Sequence, residues 1–223
     1  MLPAAPDEVL ACIVAFVRFL VPVLTAILLG CHFLKPPQEV RRKLLHMVAF
    51  FLAPVMIWAS DRWQPVVVTL VAMGALLWPL LAAGERIPGF EAFFVQRRAH
   101  EVRRSMLLLI WGDAVLVAFC WGLCVQPSVA VASILMWGCG DAAAALVGKR
   151  FGRHHVAIPL ADHKKTWEGS AAMLATSALV GFALQGLNPT VLVAAAVGAY
   201  VELITHSGFD TITVPFAVAI VLL

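Results

Sequence analysis

Charge is scarce in this chain. Only 13% of its 223 residues are Asp, Glu, Lys or Arg, against about a quarter in an ordinary soluble domain. With 62% of the residues hydrophobic, that shortage leaves little sequence for a soluble domain. The five cysteines (Cys12, Cys31, Cys120, Cys124, Cys139) contain no C-x-x-C pair, so neither a disulfide framework nor a zinc site is indicated. All five lie in or beside apolar runs and read as buried small residues. A glycosylation acceptor is also missing, because Asn188-Pro189-Thr190 has proline in its middle. The amino-terminal stretch has no basic cluster. Asp7 and Glu8 stand where a signal peptide would carry Lys or Arg. No internal repeat, low-complexity tract or linker stands out, so residues 1–223 are expected to form a single integral membrane domain.

What the chain does have is apolar length. A span needs roughly 20 mostly apolar residues, and seven or eight such runs are present. Backbone groups in hydrocarbon must be satisfied within the segment, and runs of Leu, Ala and Val do so as helices. The expected fold is therefore all-α, a polytopic membrane helical bundle of about 7–8 transmembrane helices. The spans are predicted at Val9–Leu34, Leu44–Ser60, Trp63–Ala83, Ser105–Val125, Ser128–Val147, Gly169–Leu187, Thr190–Thr205 and a short Thr211–Leu223. The last is short enough to be a half-span or to be completed by a neighbour in a homo-oligomer.

Fourteen of the sixteen basic residues fall in the connections after the first, third and fifth spans. Only Arg18 and Arg62 lie elsewhere. By the positive-inside rule those connections are cytoplasmic and the N-terminus is outside, which suits a bacterial inner membrane. Within the second of them, Gly84–Arg104 carries Phe90, Phe93, Phe94 and Val95 beside Arg97 and Arg98. It reads as an amphipathic helix on the cytoplasmic leaflet, more often a surface anchor than a substrate lid.

Ionisable groups inside spans are costly and are functional hypotheses by default. They are Arg18, Asp113, Asp141, Glu202 and, near the last span, Asp210; His46 lies about one turn into the second span. Asp113 reads either as the structural partner of Arg18 or as part of a site. The densest concentration of unusual residues is Gly138–Ser170. Its Gly138-x-Gly140-x-x-Ala143 is not a dinucleotide fingerprint, since no strand precedes it, and Gly148-Lys149 is not a P-loop. Its small residues suit close helix packing. His154, His155, Asp162 and His163 match no zinc spacing and read as a solvated loop.

Packing does not account for Asp141, for Lys164-Lys165-Thr166-Trp167-Glu168-Gly169-Ser170, or for the acids Glu202 and Asp210 near an apolar end. Carboxylates are hard oxygen ligands for Mg²⁺, which in turn holds substrate phosphates. Lysines and the open N–H groups of a helix N-terminus, here Gly169 and Ser170, bind phosphate oxygens. The physical reading is a Mg²⁺–nucleotide site at the cytoplasmic surface, with a lipid reaching it laterally. No nucleic-acid partner is expected.

The same residues resemble a known superfamily. Gly140-Asp141-Ala142-Ala143-Ala144 through Gly148-Lys149-Arg150-Phe151-Gly152, then Lys165-Thr166-Trp167-Glu168-Gly169-Ser170, resemble the CTP-using membrane transferases. These comprise phytol, dolichol and other polyprenol kinases, CTP-dependent diacylglycerol kinases, and phosphatidate cytidylyltransferases. Arg42-Lys43-Leu44-Leu45-His46 is similar to the Arg-Lys-x-x-His element of the kinase branch, and Phe209-Asp210-Thr211-Ile212-Thr213-Val214-Pro215 to its Asp-Asn-x-x-x-Pro element. Thr211 stands where that branch usually has Asn. The long Lys/Asp/Gly/His-rich ending of the cytidylyltransferases is absent, although the Lys-Thr-Trp-Glu-Gly wording leans towards them.

The resemblance implies transfer of the γ-phosphate of CTP to a lipid alcohol, with Mg²⁺ as cofactor. In that reading Asp141 and Asp210 hold Mg²⁺ or activate the lipid hydroxyl. Glu202 is a further metal acid, and Glu168 positions a lysine or the metal. Lys149, Lys164 and Lys165, with Arg150, Thr166, Gly169 and Ser170, receive the phosphates. Arg42, Lys43 and His46 close the site from the second span. Cytidylyl transfer to phosphatidate is the alternative reaction, and a non-catalytic transporter or assembly factor the alternative class.

Overall fold

A proline inside an apolar run shows how closely local chemistry sets the elements. Pro54 has no N–H, and its ring crowds the carbonyl four residues earlier. In a computed structural model of the chain, which describes residues 4–87, 100–156, 165–205 and 208–223, the predicted second span breaks at that carbonyl. It forms α2 (Gln38–Phe50) and α3 (Leu52–Trp58) in place of one helix. The other spans follow the apolar runs closely: α1 (Pro6–Leu34), α4 (Trp63–Gly84), α5 (Glu101–Val117), α6 (Pro127–Phe151), α7 (Trp167–Gln185), α8 (Pro189–Ile204) and α9 (Asp210–Leu222). A π-helical turn, Ala118–Leu123, prolongs α5. Among the described residues, five helical segments are long and apolar enough to cross a membrane, and three shorter apolar segments, Met47–Trp58, Pro189–Ile204 and Asp210–Leu222, accompany them. The protein is an all-α membrane helical bundle. The amphipathic helix expected within Gly84–Arg104 falls mostly on residues outside those described.

The chain divides into two compact units, Met1–Ala118 and Phe119–Leu223. In the first, α4 packs chiefly against α5, and α1 lies against α2, α3 and α4. The indole of Trp111 covers Gly74 so closely that a Cβ there would fall 2.2 Å from its Nε1. Arg62 Nη1 pairs with Glu8 Oε1 at 3.3 Å, joining the start of α1 to the start of α4. Asp113 on α5 is buried, and its Oδ2 has no hydrogen-bond partner. The ion pair with Arg18, weighed from sequence, does not form among the described residues.

The second unit is built on α6, which packs most extensively against α7 and also against α9; α8 packs against α7 and α9. The α6–α7 contact runs along small residues spaced by four. A Cβ on Gly140 would meet Ser177 Oγ at 2.5 Å and Met173 Cγ at 3.0 Å, and one on Gly169 would meet the Ala144 carbonyl at 3.0 Å. Ser177 Oγ donates to the Met136 carbonyl at 2.8 Å. Small residues let two membrane helices approach to van der Waals distance, and this seam fixes α7 against α6 up to the end that carries the charged residues.

Candidate active site at one end of the second unit

Alternating helix directions place the C-terminus of α6, the N-terminus of α7, the C-terminus of α8 and the N-terminus of α9 at one end of this unit. Lys149 and Arg150, read from sequence as loop residues, form the last turn of α6, where cations complement the helix dipole. Both side chains are exposed, and the Arg150 guanidinium stacks 5.4 Å from the Phe151 ring centroid. At the start of α7, Thr166 is the N-cap, its Oγ1 accepting the Gly169 amide at 3.2 Å. The Ser170 amide is satisfied by the Thr166 carbonyl at 3.0 Å. The two amides expected to lie open for phosphate are thus occupied by the cap.

Lys165 just precedes that cap and reaches across to the end of α8. Its Nζ lies 2.9 Å from Glu202 Oε1 and also donates to the main-chain carbonyls of Glu202 and of Thr205, the latter at 3.2 Å. An ammonium has three donors, and these three acceptors match them. Lys165, expected to neutralise phosphate, is therefore committed to the last turn of α8. On α9, Asp210 Oδ1 accepts the amides of Gly208 at 3.0 Å and Thr211 at 3.1 Å. Gly208 has φ +104°, a conformation that favours glycine. Glu202 lies within electrostatic reach of Lys165, Asp141 and Asp210, and Asp210 within reach of Asp141 and Lys165. Three carboxylates and one ammonium leave an excess of negative charge when the acids are ionised.

Glu168 does not join that cluster. Its Oε1 accepts from His154 Nδ1 at 2.7 Å, and its carboxylate faces the His154 amide at 3.3 and 3.4 Å. The structure thus gives His154, read from sequence as part of a solvated loop, a fixed partner. No motif signalled it, because the two residues stand on opposite sides of a loop.

Lys164, Asp162 and His163 lie outside the described residues. Arg42, Lys43 and His46 belong to α2, in the first unit. Lys43 is buried; the side chains of Arg42 and His46 are outside the described set.

Among the described residues no group of three or more His, Cys, Asp or Glu side chains forms a ready metal cage. Mg²⁺ does not require one. It is usually held by one or two carboxylates, its remaining positions taken by water and substrate phosphate. The excess charge and hard oxygens of Asp141, Glu202 and Asp210 fit that mode.

Over 208 residues the chain is 31% identical to Phytol kinase of Synechocystis sp., an alignment covering 89% of this chain and 84% of the relative. The chain belongs to the phytol kinase family. No protein-family model matches it, and no solved structure does.

Proposed function

We propose that the protein is a lipid-alcohol kinase that transfers the γ-phosphate of CTP to the hydroxyl of a polyprenol, a phytol-like alcohol or diacylglycerol at the cytoplasmic membrane face. The observation that carries this reading is the grouping of Lys165, Asp141 and Asp210 about Glu202 at one end of the second unit. Membership in the phytol kinase family supports it.

Phosphoryl transfer depends mainly on positioning and charge neutralisation. Asp141 or Asp210 accepts the proton of the lipid hydroxyl as its oxygen bonds to the γ-phosphorus. The bond from that phosphorus to the β–γ bridging oxygen breaks, and CDP leaves. Lys149, Arg150 and Lys164 provide cations for the phosphates. Whichever of Asp141 and Asp210 is not the base would hold Mg²⁺ together with Glu202, and the ion when bound neutralises phosphate charge. Glu202 is kept in place by Lys165, and the Asp210 carboxylate by two amides of its own turn. The apolar helices let a long-chain alcohol reach the site from the bilayer.

The test supplies purified protein, Mg²⁺ and a panel of lipid alcohols and phosphatidate, with CTP labelled at the α or the γ phosphate. Label entering lipid from the γ position is the expected result, and unlabelled ATP should compete poorly. Label from the α position would instead establish cytidylyl transfer. Transfer of neither label across the panel would overturn the enzymatic reading in favour of a binding or transport protein.

A further inference from the structure

We propose that His154 is a positioning residue for the candidate site, acting through Glu168 and Lys165 to set Glu202. The role in catalysis rests on the kinase reading above; the mechanical coupling does not.

His154 holds the start of α7 in three ways. Its ring Nδ1 and its amide both donate to the Glu168 carboxylate, and its carbonyl accepts the Trp167 amide at 3.0 Å. Two residues on, the Val156 amide donates to the Lys165 carbonyl at 3.0 Å. Together with the bridge between His155 and Thr166, these bonds close the neck of the connection between α6 and α7. They fix the main chain of Lys165 and of the two residues that follow it.

The neck also docks on the last turn of α8 by two different contacts. Val156 and Leu203 form a buried apolar pair, and the adjacent residue Glu202 receives the Lys165 ammonium. One face of the neck is thus tied to α7 and the other to the residue that presents a carboxylate to Asp141 and Asp210. The thread from His154 to Glu202 is continuous.

Exposure decides what losing His154 should do. Its side chain is 76% exposed and that of Glu168 26%, and an exposed acid–histidine pair adds little to stability by itself. The fold should therefore survive His154→Ala, while the alignment of Lys165 and Glu202 relaxes. Loss of alignment at a reacting centre lowers turnover by up to about a hundredfold. It does so without removing a nucleotide contact, because His154 makes none in this scheme.

The experiment compares wild type, His154→Ala, His154→Asn, Glu168→Ala and the double alanine variant, all as full chains in lipid nanodiscs. Asn places an N–H donor near the position of Nδ1. His154→Ala should lower kcat about tenfold or more while the CTP KM moves less than about twofold, the mark of an interaction used in the transition state. His154→Asn should recover most of the rate. The double variant should be no slower than the slower single one, since contacting residues are not additive. Amide exchange measured on the same samples should quicken at Lys165–Gly169 and at Glu202–Thr205 in His154→Ala and return towards wild type in His154→Asn. A raised KM with unchanged kcat, additive losses, or unaltered exchange at Glu202–Thr205 would each overturn the proposal. If wild type transfers no γ-phosphate, the kinase reading fails by itself, and the exchange measurement alone then decides whether His154 controls Glu202.

Discussion

Asp113 and Asp141 are both acids placed by the sequence inside apolar spans, and the structure treats them differently. Asp141 joins Glu202, Asp210 and Lys165 at one end of the second unit. Asp113 is 2% exposed in the first unit, with Oδ2 lacking a hydrogen-bond partner. A buried polar atom without a partner costs about 1–3 kcal/mol. Asp113→Leu, which removes that atom and keeps the same side-chain branching, is therefore expected to hold or raise the melting temperature in detergent and leave turnover intact. A clear drop in either would show that the carboxyl has a role. Asp141→Asn should do the reverse. Insertion and melting temperature should stay near wild type, while turnover falls by about 10²–10⁴ if this acid takes the hydroxyl proton. Full turnover in that variant would remove Asp141 from the mechanism. The presence of an intramembrane acid could be read from sequence, because such residues are rare. The partners of Lys165 could not. Glu202 lies 37 positions away, and nothing in Lys-Lys-Thr-Trp-Glu-Gly distinguishes a lysine spent on a helix end from one aimed at phosphate.

Helices α6 and α7 show which part of the conspicuous motif serves packing. Gly140, Ala144 and Gly148 lie four apart on α6, and Gly169, Met173 and Ser177 four apart on α7. The close approach at Gly140 and Gly169 makes this the seam of the unit. Small-residue spacing announced such a seam in the sequence, but not which helix would face it. At the exit of α6, Gly152 is confined more severely. A Cβ there would fall 2.2 Å from the Gly148 carbonyl and 2.7 Å from Thr166 Cγ2, and a backbone carbonyl cannot turn aside. Gly152→Ala is expected to destabilise by about 1–3 kcal/mol, the usual cost of overpacking, and to disturb the Thr166 cap. Gly30→Ala on α1 is the control. A Cβ there meets nothing within 4 Å, so replacing a helical glycine should be neutral or stabilise by up to about 1 kcal/mol. Equal melting temperatures for the two variants would contradict this account. The break between α2 and α3 teaches a related lesson. The apolar run is continuous, which led to one predicted span, yet Pro54 was present and marked the interruption.

At the scale of the whole molecule, the distribution of basic residues and the alternation of helices make one claim together. Fourteen of the sixteen Lys and Arg residues lie in or beside three alternate connections, and the positive-inside rule predicts that this side is cytoplasmic. One exception has a local explanation: Arg62 is paired with Glu8 at 3.3 Å, so part of its charge is met within the protein. The candidate site belongs to the basic side because Arg153, Lys165 and Asp210 share one end of the second unit, with Asn188, between α7 and α8, at the other. A kinase drawing on a soluble nucleotide needs that end to face the nucleotide pool. Single cysteines introduced as Arg153→Cys and Asn188→Cys into a chain lacking its five native cysteines test the arrangement. A membrane-impermeant maleimide applied to intact cells should label position 188 and leave position 153 untouched until the membrane is opened. The reverse pattern would place the acids, Lys149 and Arg150 on the outer face, where CTP is not supplied. The proposed reaction would then fail on topology even with every side chain in its place.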